Sequence, residues 1–275
     1  MINSYKSRIV VFLLILFLAP VFYQPLFAED NLIDQVLDGA HRDENFKKRD
    51  QYRHPKETLN FFGINSENSV IEVTPGYGWY AEILAPLLRD NGNYTYASYK
   101  LTEGINPFFV KVEKAFTAKM QKYPKVYEKL NWVHFEAKNP ELAPNSLVDK
   151  VVTFRNVHNW AQAGTSKAMF KGFYDALKHG GVLGLVEHRA KPGTSLDDQI
   201  KSGYMTEDFV IQMAESVGFR LDEKSEINAN PKDTKDHVDG VWNLLPNLRN
   251  ISETGKNEMI EIGESDRMTL RFIKD

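Results

Sequence analysis

The sequence predicts an α/β protein: a mostly parallel sheet with helices on both faces and an antiparallel last strand. Three observations carry this. Beyond residue 63, short apolar runs alternate with longer helical ones, the signature of strand-helix-strand units. The chain of 275 residues is 42% hydrophobic and 26% charged, with 17 Gly and 12 Pro, which excludes disordered, collagenous and multi-pass membrane classes. Between the last two strand-like runs no helix is readable, only a polar loop from Asn228 to about Gly263, so the final strand has no crossover to make it parallel.

The chain opens with a segment that does not belong to the core. Lys6 and Arg8 precede an unbroken apolar stretch from Ile9 to Ala19, which reads as a secretory signal cut after Ala28, with an uncleaved N-terminal anchor as the alternative. Pro20, Gln24 and Pro25 end that stretch short of the roughly 20 residues a membrane span needs. The expectation is an exported chain, periplasmic or secreted, with no membrane span after cleavage. Residues 29–63 then read as a polar helical arm. Asn31 to Leu37 has apolar residues at helical spacing, His41 to Arg53 is a second helix or a strapped-down stretch, and Pro55 suits the first turn of a helix that Gly63 can end.

Residues 64–275 read as one domain. Its strands are expected at Ser69 to Val73, Tyr94 to Tyr99, Trp132 to Phe135, Leu147 to Phe154, Gly181 to Glu187, Arg220 to Ile227 and Arg267 to Ile273. Its helices are expected at Trp79 to Leu88, Pro107 to Lys122, Ser166 to Lys178 and Thr206 to Val217. Charged residues from Lys111 to Lys129 read as a solvated helix face.

A formal net charge of −3 gives no grip on a polyanion, so no nucleic-acid partner is expected. The absence of cysteine excludes disulfides, thiolate metal sites and a cysteine nucleophile. No metal site is assigned: Asp233, Asp236, His237 and Asp239 crowd one loop, but their spacing matches no calcium or zinc pattern. No obligate protein partner is evident.

The informative turn lies in VIEVTPGYGWYAEIL. A buried strand runs into Thr74-Pro75-Gly76-Tyr77-Gly78 and then directly into an amphipathic helix. Glycines at such a turn let a ligand approach the backbone and free helix N-terminal amides for an anion, so a nucleotide-like ligand is expected. Gly76-x-Gly78-x-x-Ala81 also fits the relaxed dinucleotide pattern, which keeps an oxidoreductase open as an alternative.

Glu72 before this turn makes the segment resemble motif I of the class I S-adenosylmethionine-dependent methyltransferases. FFGI before the strand, PGYGWYAEILAP after it, TFRNVHNW at Thr153 to Trp160 and the ending ESDRMTLRFIKD resemble a bacterial family of exported predicted methyltransferases of unknown substrate. The resemblance runs from about Asp43 to the C-terminus and implies a Rossmann-like seven-stranded methyltransferase sheet. It also implies S-adenosylmethionine as cofactor, held by Glu72, Thr74, Pro75, Gly76 and Gly78, with a small molecule or an envelope component as methyl acceptor. Two departures stand out. Thr74 replaces the first glycine of the motif, and the second strand ends in Ser98-Tyr99-Lys100 where an acid would take the ribose hydroxyls, leaving Ser98, Tyr99 or Glu103 for that contact. Glu136 follows the third strand, near where adenine would lie.

Open parallel sheets bind ligands at the carboxyl ends of their strands, so Arg155 to Trp160 should face the same crevice. Asn156 and His158 alternate with Val157 and are expected to point to one side, Asn156 toward the cofactor. His158 is the expected base, since an imidazole titrates near neutral pH. Arg155 could pair with a carboxylate of substrate or cofactor, or with the arm. Trp160, Glu187, His188 and Tyr204 complete the substrate candidates. A non-catalytic binding protein that kept the crevice is the remaining alternative.

Overall fold

The computed structural model describes residues 25–143 and 147–275, and side chains from residue 31 onward. The expected signal segment lies outside the described residues up to Gln24, and α1, Pro25–Leu37, runs across the expected cut after Ala28. The arm continues as α2 (Glu44–Lys47), α3 (Asp50–Arg53) and α4 (Pro55–Phe61), so the stretch from His41 to Arg53 is two single-turn helices rather than one. Gly63 follows α4 with φ +64°, as the expected helix end requires.

The sheet strands are β1 (Ser69–Val73), β2 (Asn93–Tyr99), β3 (Asn131–Phe135), β4 (Val148–Phe154), β5 (Leu177–His188), β6 (Phe219–Ser225) and β7 (Arg267–Lys274). They form one seven-stranded sheet in the order β3-β2-β1-β4-β5-β7-β6. β1 pairs in parallel with β2 and β4, and β7 inserts antiparallel between β5 and β6, as expected of the closing strand. The helices after β1 are α5 (Ala81–Leu88), α6 (Pro107–Lys122), α7 (Pro124–Tyr127), α8 (Val157–Gln162), α9 (Ser166–Ala176), α10 (Leu196–Ser202), α11 (Glu207–Glu215) and α12 (Glu253–Ile262).

Four differences from the sequence reading have local causes. The polar loop before β7 contains α12, whose N-cap Ser252 accepts from the Gly255 amide but whose side chains are none of them buried, so no apolar stripe announces it. α9 ends at Ala176 and β5 starts at Leu177, because Leu177 and Val148 already pair. α10 is a short capped turn with too few apolar positions to show a period. Residues 155–160 do not continue β4 but enter α8, so Asn156 and His158 are not strand-spaced.

Two apolar layers cover the sheet. One packs α8, α9 and α11 on β4, β5 and β7 around Trp160, Phe170, Phe173 and Leu270. The other packs the arm and α5 on β1 and β2 through Ile33, Leu59, Phe62, Ile83 and Leu84. Pro86 inside α5 has no N–H to offer the carbonyl of Glu82. His41 fills that vacancy, donating from Nε2 to the Glu82 carbonyl at 2.7 Å, and so ties the arm to α5.

Candidate functional site

At the carboxyl ends of β1, β2 and β4 lies a cavity of about 350 Å³. Among the residues expected to hold cofactor or substrate, Thr74, Pro75, Gly76, Ser98, Tyr99, Arg155, Asn156, His158 and His188 line it. Thr74 and Arg155, the first residues after β1 and β4, both carry positive φ, +54° and +62°. Such backbone costs on the order of 1–3 kcal/mol per residue, and here it turns both chains away from the strand ends to open the crevice. Asn156 ties the two turns together: its Nδ2 lies 3.2 Å from the carbonyls of Val73 and Thr74.

Gly76, at φ +61°, has no heavy atom within 4 Å of where a Cβ would sit, so its open side faces the cavity. The Tyr96 hydroxyl donates to its carbonyl at 2.8 Å. Gly78 serves a different purpose from the expected one. A Cβ there would meet the Phe116 ring at 2.7 Å, so this glycine admits α6, not a ligand. Glu72 is likewise not at the cavity: it is 2% exposed and accepts from the Tyr94 hydroxyl at 2.6 Å, and burial pushes its carboxyl up to about 8.

The α6 helix, expected only as a solvated face, roofs the cavity with Phe108, Phe109, Val112 and Glu113. Apolar residues at 108, 109, 112 and 116 keep helical spacing, and that stripe was the available signal. Asn106 caps the helix by accepting from the Phe108 amide at 2.9 Å. Glu113 brings a carboxylate to the wall beside Ser98, where β2 offers none; its Oε2 is buried and accepts no hydrogen bond, with His134 Nε2 3.4 Å away. Glu103 does not line the cavity. Glu136 is displaced into an adjoining cavity that shares Tyr99, Asn106, Phe109 and Asn159, and pairs with Lys100 at 3.5 Å.

Behind the cavity, Glu187 at the end of β5 organises both histidines. Its Oε2 accepts from the Val157 amide at 2.5 Å, and its Oε1 accepts from His158 Nδ1 at 3.1 Å and from the His188 amide at 2.8 Å. Glu187 is fully buried, so it positions His158 and caps α8 instead of meeting a substrate. With Nδ1 on Glu187, the His158 Nε2 is the ring nitrogen left for the cavity. His188, whose ring centroid is 5.5 Å from that of His158, hydrogen-bonds through Nδ1 to Ser265 Oγ. Burial first, then His158 and Arg155, hold it well below the ordinary histidine value, so it stays neutral near pH 7. Among the described residues, His158, Glu187 and His188 are the group whose potential ligand atoms all lie within 4.8 Å of one another. Both carboxylate oxygens of Glu187 are already engaged by N–H donors.

Two further candidates are buried away from the cavity. Trp160 is 1% exposed and donates from its indole to the Tyr99 hydroxyl at 2.8 Å, so it positions Tyr99. Tyr204 is 1% exposed, with its hydroxyl 2.9 Å from Asp233. Asp233 also accepts from His237 Nε2 and the Asp266 amide, so the acid-rich loop uses this carboxylate as an internal hub.

No family model matches the chain, and no curated protein matches it in sequence. Solved structures do. An S-adenosylmethionine-dependent methyltransferase from Aquifex aeolicus is similar at TM-score 0.54 and 13% identity, over 90% of this chain and 98% of that one. The glycopeptide N-methyltransferase MtfA, complexed with S-adenosylhomocysteine, is similar at TM-score 0.51 and 12% identity, over 82% and 90% of the two chains. The N-methyltransferase NodS from Bradyrhizobium japonicum WM9 is similar at TM-score 0.50 and 13% identity, over 84% and 98%. At these identities the likeness establishes the fold, the Rossmann-like seven-stranded sheet of methyltransferases, with its antiparallel β7.

Proposed function

We propose that the chain is a methyltransferase that binds S-adenosylmethionine in the cavity above β1, β2 and β4 and methylates a small-molecule or envelope acceptor. One observation carries this reading: the crevice joins the open Gly76 turn to the carboxylate of Glu113, whose buried Oε2 accepts no hydrogen bond and has His134 Nε2 3.4 Å away. A ribose supplies vicinal hydroxyls for such an acceptor, and a glycine turn admits an amino-acid chain close to backbone. Clefts for ligands of this size span roughly 300–1,000 Å³, and the cavity with its neighbour falls within that range.

Gly76 and Pro75 would receive the methionine part, Ser98, Tyr99 and Glu113 the sugar, and the adjoining cavity by Glu136 the base. When bound, the cofactor supplies an electrophilic methyl group on a sulfonium. The protein then has to hold an acceptor nucleophile in line and take its proton, and His158 Nε2, braced by Glu187, is placed for that. Export belongs to the same proposal and rests on the Met1 to Ala28 pattern. Among the described residues no helix is long and apolar enough to cross a membrane.

Calorimetric titration of the purified chain with S-adenosylmethionine, S-adenosylhomocysteine and NAD tests the reading. The first two are expected to bind at one site and NAD not at all, and His158→Ala is expected to keep that affinity while lowering turnover by about 10²–10⁴-fold. A second reading, a binding protein that has lost the reaction, is favoured by Thr74 at the first motif position. It gains if the cofactor binds and the wild type transfers no methyl group; equal turnover by wild type and His158→Ala would instead remove His158 as the base. NAD binding alone would transfer the cavity to an oxidoreductase.

A further inference from the structure

We propose that Arg155, with three arginines behind it, forms a seat for an anionic group, a carboxylate or phosphate, carried by the methyl acceptor. The assignment to an acceptor rests on the reading above; the seat itself does not. Arg155 lines the cavity, and among the described residues its guanidinium has no hydrogen-bond or ion-pair partner. The sequence left it a choice between a ligand carboxylate and the arm. The arm meets it with arginines instead of acids.

Arg49 and Arg53, from α2–α3 of the arm, and Arg267, at the start of β7, converge on one carboxylate. Arg49 Nε lies 2.5 Å from Glu264 Oε1, while Arg53 Nε and Arg267 Nη2 lie 3.1 Å from Oε2. Burial of Arg155 and its repulsion by Arg53 and Arg49 pull its guanidinium well below the ordinary arginine value. The nearest other acids are committed: Asp50 binds Arg42, and Asp266 binds Arg189 and Lys235. One glutamate therefore faces four guanidinium groups.

The cluster also holds unmet donors. Arg49 Nη2 and Arg53 Nη2 are buried with no hydrogen-bond partner. Each buried unmet donor costs about 1–3 kcal/mol, and an uncompensated buried charge costs more. Such an arrangement persists where a second anion completes it. The cluster reaches the candidate cavity through Arg155, whose planar fork matches carboxylate and phosphate oxygens, while Glu264 and Arg267 open on a separate, smaller cavity beside Tyr52 and His54.

Sheet order places the seat relative to the rest of the cavity. Gly76, after β1, and Ser98, near the end of β2, lie on one side of β4, whereas Arg267 and Glu264 belong to the β7 side, beyond β5. An anion on Arg155 thus sits across β4 from the cofactor-side lining, on the same wall as His188 and beside His158. A molecule anchored there presents its remaining atoms to His158. The α-carboxylate of the cofactor has the same chemistry, so the test must separate the two sources.

Inorganic phosphate and malonate are titrated calorimetrically into the full chain, alone and with saturating S-adenosylhomocysteine. Each anion is expected to bind one site, with an affinity changed less than about threefold by S-adenosylhomocysteine, and Arg155→Gln to weaken both by at least about tenfold. Arg155→Lys, which keeps the charge and loses the fork, is expected to fall between and covers the case in which Arg155→Gln does not fold. No anion binding by the wild type, or equal binding by Arg155→Gln, overturns the seat. Competition between S-adenosylhomocysteine and the anions gives the seat to the cofactor and overturns its assignment to an acceptor. If the anions bind as expected while S-adenosylhomocysteine does not, the seat stands and the cofactor reading falls.

Discussion

Glu72 is a carboxyl group in the middle of the sheet whose one hydrogen-bond partner, the Tyr94 hydroxyl, is neutral. Its folded value of about 8 lies above the unfolded value near 4.5, so the folded state keeps a proton that the unfolded chain releases. The stability this gives is fully present below about pH 4.5, declines as pH rises, and is gone above about pH 8; the slope is at most roughly 1.4 kcal/mol per pH unit. Glu72→Gln cannot ionise and still accepts from Tyr94. In denaturant titrations it is expected to match the wild type at pH 5 and to exceed it by a few kcal/mol at pH 8.5; an equal difference at both pH values would disprove the account. In sequence this residue reads as the acid of a cofactor motif, because strand and turn are legible but inward burial of an acid is not. Trp160 and Glu187 failed the same way: their positions were read well enough, while their partners Tyr99 and His158 lie 61 and 29 residues away.

Helix α6 shows what an element adds that its residues do not announce one by one. Its bounds, Pro107–Lys122, are legible because Asn106 and Pro107 start it and the charged positions keep helical spacing. Its function is not, because charge dominates the composition and hides the apolar stripe that roofs the cavity. Glu113 lines the same cavity as Ser98, and on the proposed reading it takes the sugar contact from α6. Glu113→Gln keeps the size of the side chain and removes its charge, so S-adenosylhomocysteine should bind about tenfold more weakly, the equivalent of roughly 1.4 kcal/mol. Glu136→Gln, one cavity over and paired at the surface with Lys100, should change the affinity less than about threefold. Reversal of that order would return the sugar contact to the region after β3.

The whole molecule is held together across its ends by charge as well as by apolar packing. Residues 41–53 are strapped to the sheet twice: to α5 through His41 and Lys119–Glu82–Arg42, and to β7 through Glu264. The parallel sheet and its antiparallel closure are legible because they follow from alternation and crossover length, whereas the order of the strands is not. The straps are not legible either, since Glu264 contacts Arg53 across 211 residues of sequence. Among the described residues Glu264 is the one carboxylate that pairs with Arg49, Arg53 and Arg267, and Arg53, Arg267 and Arg49 hold it well below the usual carboxylate range against burial. Its stabilising effect is therefore present above the unfolded value near 4.5 and lost as pH falls through the lower folded value. Glu264→Gln keeps the shape and removes the counter-charge, leaving buried guanidinium groups facing one another. The loss is expected to be about 3–5 kcal/mol at pH 7, seen as one cooperative transition shifted down by roughly 10 °C. Because the same cluster backs Arg155, phosphate should recover more of the loss in Glu264→Gln than it adds to the wild type. A melt of Glu264→Gln that splits, with the arm releasing before the sheet, would mean that the strap joins two independently stable parts. A shift below about 1 kcal/mol would mean that solvent already neutralises the cluster and that the arm is held by Ile33, Leu59 and Phe62 alone.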